Sequence, residues 1–444
     1  MQIEVSDEAV ELVDRVAAID IAKASGMVCV RLPHPAVPGR RTQEVFAVAA
    51  DSGAILELGE RLTGYGVQQV VMEATGAYWR PFFYLLEAAG LSCVLVNARD
   101  VKNVPGRPKT DKLDAVWLAK LAERGMLRAS FVPPKPVRQL RDLTRTARVL
   151  TQERTRHKQR VEKVLEDAQI KLSTVASDIF GVSGRAMLDA LCAGQRDPQI
   201  LAALARGRML IKQPALVKAL TGCFEEHHAF LIRTLLDTID HLSGQIDALG
   251  ERIEQLLAKI EPPAPSGPDQ RPGTGPGGGG LLPLAARLDE IPGIGPSTAR
   301  VILAEVGPDI RVFPTAGHLV SWAKLSPRTI QSGAKSTHGP TGKGNPWLRG
   351  ALGEAAAAAA RTDTFLGARY RRLVKRRGHM KALVAVARSI LVIVWQLIND
   401  PAARYHDLGA DHYQRHTDPE RKTRDLVRQL HALGHQVTLA PAPA

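Results

Sequence analysis

Cysteine is scarce in this chain. Its four cysteines, Cys29, Cys93, Cys192 and Cys223, stand far apart and form no CxxC pair. That spacing excludes a disulfide framework and a cysteine-based zinc site, and it fits a reducing compartment. The first residues, MQIEVSDEAVELVDR, are acidic and lack the basic start and apolar run of a secretory signal. Long apolar runs are also missing. The most apolar stretch, Ala382 to Ile398, is interrupted by Arg388 and Gln396. It falls short of the ~20 residues a membrane span needs, so it is expected to be a buried helix, with no membrane partner. Acidic residues are too few to balance the basic ones: 45 against 59, a formal charge of +14. That surplus points to a polyanionic partner, most simply nucleic acid, and a cytoplasmic, nucleoid-associated protein is expected.

The chain has 444 residues, of which 45% are hydrophobic and 23% charged. These values exclude wholesale disorder, and the length predicts two or three domains. The basic surplus is uneven. Residues 1–130 carry 15 basic and 16 acidic side chains, residues 131–260 carry 20 and 15, and residues 261–444 carry 24 and 14. The first third is therefore neutral, and the polyanion-binding charge lies downstream.

Within residues 14–130, apolar segments at 16–23, 27–32, 44–50, 67–75 and 92–98 read as strands. Helices are expected at 51–65, 77–90 and 111–124. Hairpin-linked strands followed by strand–helix–strand–helix predict a mixed α/β sheet of ribonuclease-H type. Residues 135–260 read as helical throughout. In their first part Arg138, Arg141, Arg145 and Arg148 recur at helical spacing, and Arg156, Arg160 and Lys163 continue the stripe. With few acids alongside, the stripe is expected to track phosphates, the alternative being a solvated face. Residues 261–280 hold six Pro and seven Gly and read as a disordered linker. Residues 284–400 form a further domain. In it, Ile291-Pro292-Gly293-Ile294-Gly295 matches a helix-hairpin-helix turn whose Gly293 and Gly295 would let backbone approach a phosphate, unless it is a plain tight turn. Residues 327–346 read as a Gly/Ser/Thr/Lys-rich loop, Asn345 to Arg361 as a helix, and 369–381 as an Arg/Lys cluster. The tail, 401–444, is expected to hold a helix at 419–433 and a short strand near Gln436 to Leu439.

Four acids stand out by position. Asp20 ends the first apolar strand and Glu73 the strand VQQVVMEAT, while Asp111 and Asp114 lie three apart at a helix start and share a face. Such carboxylates make the oxygen-rich site that Mg2+ favours, and the metal can activate a phosphodiester. On spacing alone, Asp111 can equally be a helix-start acid favoured by the dipole and Glu73 a loop acid.

The segments AAIDIAK, VVMEATGAYWRPF, VNARDVKNVPGRPKTDKLDA, IPGIGPSTARVILAEVG and LSPRTIQSGAKSTHGPTGKGNPWLRGAL, with the tail RYHDLGADHY, together resemble one family. It is the DEDD-type insertion-sequence transposases of the one-ten group, which includes Piv-type DNA invertases. The resemblance implies a RuvC-like (ribonuclease-H-type) domain, a helical coiled-coil segment and a mainly helical transposase domain. It implies that Asp20, Glu73, Asp111 and Asp114 hold Mg2+ or Mn2+, and that Ser332 is a nucleophile forming a phosphoserine link to DNA. Taken alone, Ser332-Gly333 reads as turn chemistry, and the G-x-S-x-G context of serine hydrolases is absent. Lys335, Lys343 and Arg349 are candidate phosphate clamps. The implied partners are donor and target DNA, a structured guide (bridge) RNA, and further copies of the chain in a dimer or tetramer. The alternative is a metal-dependent, structure-specific DNA endonuclease of RuvC-like fold in which Ser332 is incidental.

Overall fold

The computed structural model describes residues 13–74, 76–97, 110–260, 282–327, 329–333, 335–415 and 418–440. The side chains of Asp111, Ser332 and Lys335 are outside this description, as is the segment read as a linker. The chain divides into two compact units, Met1–Pro133 and Pro134–Ala444.

In the first unit the strands β1 (Val16–Ile21), β2 (Ser25–Pro33), β3 (Arg41–Ala49), β4 (Gln69–Glu73) and β5 (Cys93–Val96) form one sheet in the order β3-β2-β1-β4-β5. The first three pair antiparallel, and β4 and β5 run parallel to β1. This is the mixed sheet expected from the strand order. Helices α1 (Ser52–Gly64), α2 (Trp79–Ala88) and α3 (Asp111–Glu123) complete the unit. Asp51 caps α1 by accepting from Ala54 N–H. Alternate residues of each strand point to opposite faces. Ala17, Ile19, Val70 and Met72 therefore meet α1 and α2 through Ile55, Leu62, Phe82 and Leu86. Ala18 and Val71 meet α3 through Ala115, Leu118 and Ala122. A sheet covered on both faces needs central strands that are apolar throughout, which is why β4 shows no alternation.

The second unit opens with α4 (Lys135–Asp167), a 33-residue helix about 50 Å long. It lies against the 35-residue α8 (Glu226–Ile260). Asp167 meets His228 and Arg154 reaches Ser243, so the two run antiparallel. Between them in sequence α5 (Val182–Cys192), α6 (Pro198–Ala203) and α7 (Gln213–Ala219) enclose a core of Val161, Leu165, Met187, Leu191, Leu216 and Leu236. Then follow α9 (Leu284–Asp289), α10 (Pro296–Val306), α11 (Ala316–Trp322), the hairpin β6 (Thr329–Ser332) and β7 (Lys335–His338), α12 (Pro346–Ala359), α13 (Phe365–Arg377), α14 (His379–Asn399), α15 (His412–Arg415) and α16 (Pro419–Ala432).

Three elements differ from expectation. The loop at 327–346 contains the β6–β7 hairpin, whose Thr, Ser, Gln and Lys residues carry no apolar alternation to announce it. The strand expected near Gln436 to Leu439 is absent, because that stretch is exposed and has no partner strand among the described residues. The apolar stretch extends to 21 residues in α14, long and apolar enough by length and composition to cross a membrane. Its Ala382, Val386, Ile390, Val394 and Leu397 are buried, and the helix packs against α11, α12 and α13.

Candidate nucleic-acid active site

The carboxylates are positioned by the parallel pairing of β1 with β4. Ile19 pairs with Met72, so the next step along the register sets Asp20 beside Glu73, about 4.8 Å away across the sheet. Both follow by two residues a side chain that packs under α3, Ala18 and Val71 respectively, so both project to the α3 face. Glu73 is 8% exposed and Asp20 is half-buried.

Helix α3 is held in place at its far end. Glu123 pairs with Arg31 at 2.8 Å and with Arg41 at 2.6 Å. Arg31 lies opposite Val16, so the last turn of α3 sits at the start of β1 and the helix runs back toward the strand ends. From Glu123 to Asp114 is nine helical steps, about 13.5 Å. From Val16 to Asp20 is four strand steps, about 13 Å. The equal lengths bring Asp114 level with Asp20. Asp111 opens the same helix, one turn earlier, with Thr110 capping it through Leu113 N–H. By this step count Asp114, one turn into α3, lies toward the same end of the sheet as Asp20 and Glu73, and Asp111 opens the same helix. All the donors are carboxylate oxygens, a set suited to a hard divalent cation. The helix N-terminus adds a partial positive charge that favours carboxylates there.

Ser332 ends β6 and pairs in register with Lys335, so it stands at the hairpin tip beside Gly333, whose φ of +59° makes the turn. The segment after the hairpin is anchored firmly. Asn345 caps α12, accepting from the N–H groups of Trp347 (2.9 Å) and Leu348 (3.2 Å). Its amide donates to Glu305 Oε2 at 2.6 Å. Arg349 donates to Gly342 O at 3.2 Å, so it braces the segment, while Lys343 is exposed.

The basic stripe of α4 has a different environment from the one its spacing suggested. Arg145 forms a two-bond fork on the carboxylate of Glu305, at 2.7 and 2.8 Å, and Glu305 is fully buried. Arg141 donates to the carbonyls of Ala304 (2.7 Å) and Glu305 (2.5 Å) at the end of α10. Arg148 pairs with Glu354 of α12. These three guanidiniums hold α10 and α12 on α4, which corrects the expectation of a phosphate-tracking face at those positions. Arg138 is half-buried, while Arg156, Arg160 and Lys163 further along are exposed.

The turn at 291–295 is a helix–turn–helix, but its glycine has an internal purpose. Gly293 adopts φ +90°, and a Cβ there would stand 2.2 Å from Ala355 O and 2.8 Å from Ala359 N. The close approach is to the backbone of α12 and not to a phosphate. Gly295 caps α10 and faces open space.

A cluster missed by sequence reading joins Asp167, His227 and His228, whose ligand atoms lie within 4.8 Å of one another. His228 is 5% exposed. Its Nδ1 accepts from Glu225 N–H at 3.1 Å, which leaves the proton on Nε2, 3.1 Å from Asp167 Oδ2. Both ring nitrogens are thus engaged, and the imidazole clasps the end of α4 to the start of α8.

Two family models match the chain in order. DEDD_Tnp_IS110, described as a transposase, covers residues 17–170, and the model of the transposase IS116/IS110/IS902 family covers residues 285–371. An uncharacterized 43.6 kDa protein of insertion element IS110 from Streptomyces coelicolor is 36% identical over 121 residues, 27% of this chain and 29% of its own length. The transposase for insertion sequence element IS1111A from Coxiella burnetii is 26% identical over 340 residues, 74% of this chain and 77% of its own. The first model contains Asp20, Glu73, Asp111 and Asp114, and the second contains the β6–β7 hairpin. With both matches in sequence order and a mixed sheet under the first, the chain belongs to the IS110 family of DEDD transposases.

Proposed function

We propose that this chain is a DNA transposase that cuts and rejoins strands through Ser332, with Asp20, Glu73, Asp111 and Asp114 as the ligands of a divalent cation. The observation that supports the reading is the parallel register of β1 and β4, which puts Asp20 and Glu73 side by side on the α3 face at the carboxyl ends of the two strands. In this reading the first unit is a RuvC-like domain and the cation is Mg2+ or Mn2+, consistent with an all-oxygen donor set. Bound there, the cation would offset negative charge on the reacting phosphoryl group.

The chemistry assigned to the chain balances without an outside energy source. The Ser332 hydroxyl adds to a DNA phosphorus, and the bridging oxygen leaves as a free strand end, taking up one proton. A second strand end then attacks the phosphoserine, which restores a phosphodiester and returns the serine hydroxyl. Lys335, Lys343 and Arg349 are placed in the reading as phosphate contacts beside the hairpin. A structured guide RNA selecting donor and target DNA, and assembly into dimers or tetramers, complete it.

The test uses the full chain, the element's ends as DNA, and the transcript flanking its gene. A denatured reaction on a religation-blocked substrate should contain a protein–DNA adduct that maps to Ser332. Ser332→Ala should lose the adduct and still bind DNA, and Asp20→Asn or Asp114→Asn should lose strand exchange. An adduct on another residue would refute the serine assignment. Clean hydrolysis with no adduct would favour the metal-dependent endonuclease.

A further inference from the structure

Between Thr364 and Asn399 the sequence contains no Asp or Glu, yet it holds eight Lys and Arg residues. These 36 positions span the packed helices α13 and α14, joined at Gly378. Part of that charge is satisfied within the unit. Arg369 donates to Tyr413 Oη at 3.1 Å, the Arg372 guanidinium lies 4.0 Å over the Tyr413 ring, and Arg371 pairs with Asp363. Of the remaining five, Arg388 is exposed further along α14, and Lys375, Arg376, Arg377 and Lys381 sit within two helical turns of Gly378 and are exposed. Among the described residues none of these four has an acidic partner.

We propose that this basic tip, Lys375, Arg376, Arg377 and Lys381 at the α13–α14 turn, is where the second unit docks the phosphate backbone of duplex DNA. Four cations without counter-ions repel one another, and a polyanion relieves that repulsion while releasing its own condensed counter-ions. The contrast with α4 supports the assignment. There Arg141, Arg145 and Arg148, in the first half of the helix, face Glu305 and Glu354, so those three have little charge left to offer a phosphate. Short, flexible lysine and arginine contacts of this kind position a duplex without reading its bases. The inference rests on the reading of the chain as a DNA-acting enzyme, and it is independent of which residue performs the chemistry.

The experiment is a salt titration of full-length protein binding a labelled duplex of arbitrary sequence, followed by fluorescence anisotropy. The triple variant Lys375→Ala, Arg376→Ala and Arg377→Ala should lower the slope of log K against log salt by about two to three, near 0.9 per lost contact, and weaken binding at 100 mM salt by more than about tenfold. A charge-matched control, Lys218→Ala, Arg252→Ala and Lys259→Ala, removes three exposed cations elsewhere in the unit and should leave the slope nearly unchanged. Since every substituted side chain is exposed, matching circular dichroism and melting confirm intact folding. Equal slopes for the two triple variants would overturn the proposal while leaving the transposase reading standing. Failure of the unmodified protein to bind any duplex would count against both. A loss confined to structured RNA, or to phosphatidylserine vesicles, with duplex DNA binding intact, would also overturn it.

Discussion

Removing the Glu305 carboxylate should loosen the whole second unit. Glu305 is fully buried and receives the Arg145 fork and the Asn345 amide, with Arg141 Nε 3.5 Å away. Breaking one side of a buried ion pair costs roughly 3–5 kcal/mol, because the remaining charge is left uncompensated. Arg145 is 30% exposed and can regain water, and Arg141 keeps two carbonyl partners. Glu305→Ala should therefore cost about 3 kcal/mol, at the low end. Arg145→Ala should cost about 1–2 kcal/mol, since Glu305 retains Arg141 and Asn345. Asn345→Ala removes a helix cap worth about 1 kcal/mol together with a charge-assisted hydrogen bond of about 1.5–3 kcal/mol. Replacing both partners, Arg145→Met with Glu305→Met, should recover at least about 1 kcal/mol relative to Glu305→Ala, since the Arg145 charge goes with its partner and the remaining Arg141 keeps two carbonyl acceptors. Urea unfolding read by tryptophan fluorescence suits the measurement, in a background where Trp79 and Trp117 of the first unit are replaced by Phe. The remaining Trp322, Trp347 and Trp395 all lie in the second unit, and Trp347, beside Asn345 and 5.6 Å from the Arg145 guanidinium, sits at the site itself. A Glu305→Ala variant within about 1 kcal/mol of the parent, or strict additivity of the double variant against the single Arg145→Met and Glu305→Met variants, would refute the argument.

Other expectations follow from single observations. Gly293→Ala combines a left-handed backbone with a 2.2 Å clash on Ala355 O, so it should destabilise by about 2–4 kcal/mol in the same urea assay; a neutral result would mean that α12 yields. Burial pushes the Cys29 thiol up to about 11 and the Cys93 thiol up to about 12, whereas Cys223 is exposed. A maleimide pulse at pH 7.5 should therefore label Cys223 well before Cys29 or Cys93, and mass mapping that reversed this order would contradict the fold. Arg311 holds the Asp309 carboxyl down to about 2, Arg404 lowers Glu290 and Arg185 lowers Asp240. Folded values below unfolded ones give stability that is present above about pH 4 and lost as pH falls through the folded values. Tryptophan fluorescence should show acid loosening between about pH 4 and 2, advanced by Arg404→Ala, and an unchanged acid profile for that variant would count against the pair.

The first unit was largely legible in its sequence. Strands such as VAAIDI are short, apolar and punctuated by Ser-Gly or charged residues, and an acid at the end of an apolar strand is conspicuous. The acids of α3 were equally visible, because helical spacing alone places Asp111 and Asp114 on one face. What sequence could not supply was partnership. The arginines of α4 have the right period for a phosphate-binding face, yet their acceptor, Glu305, lies some 160 residues away inside the apolar run VILAEV. An isolated acid in such a run looks no different from a solvent-facing one. Gly293 carried the same ambiguity: a glycine needed for close approach does not announce what approaches. The β6–β7 hairpin was hidden because TIQS and KSTH hold one apolar residue, Ile330, between them, too little alternation to mark a register.

The long helix α4 belongs to two cores at once, and this has a consequence for how the chain is made. Its second half closes onto α8 and the helices between them, all supplied within the next hundred residues. Its first half must wait for α10, because Arg145 and Glu305 are separated by 160 positions. At roughly 5–20 residues per second, a ribosome takes about 8–30 s to deliver that partner. Throughout this interval the nascent helix displays Arg141, Arg145 and Arg148 unneutralised, a transient polycation that vanishes on completion. Closing so large a loop is also entropically slow relative to local helix pairing. The docking of α9 to α14 onto α4 is therefore the natural late step of folding. Amide protons in the first two turns of α4 should gain protection after those near Leu165, and polyanions present during refolding should retard that step selectively.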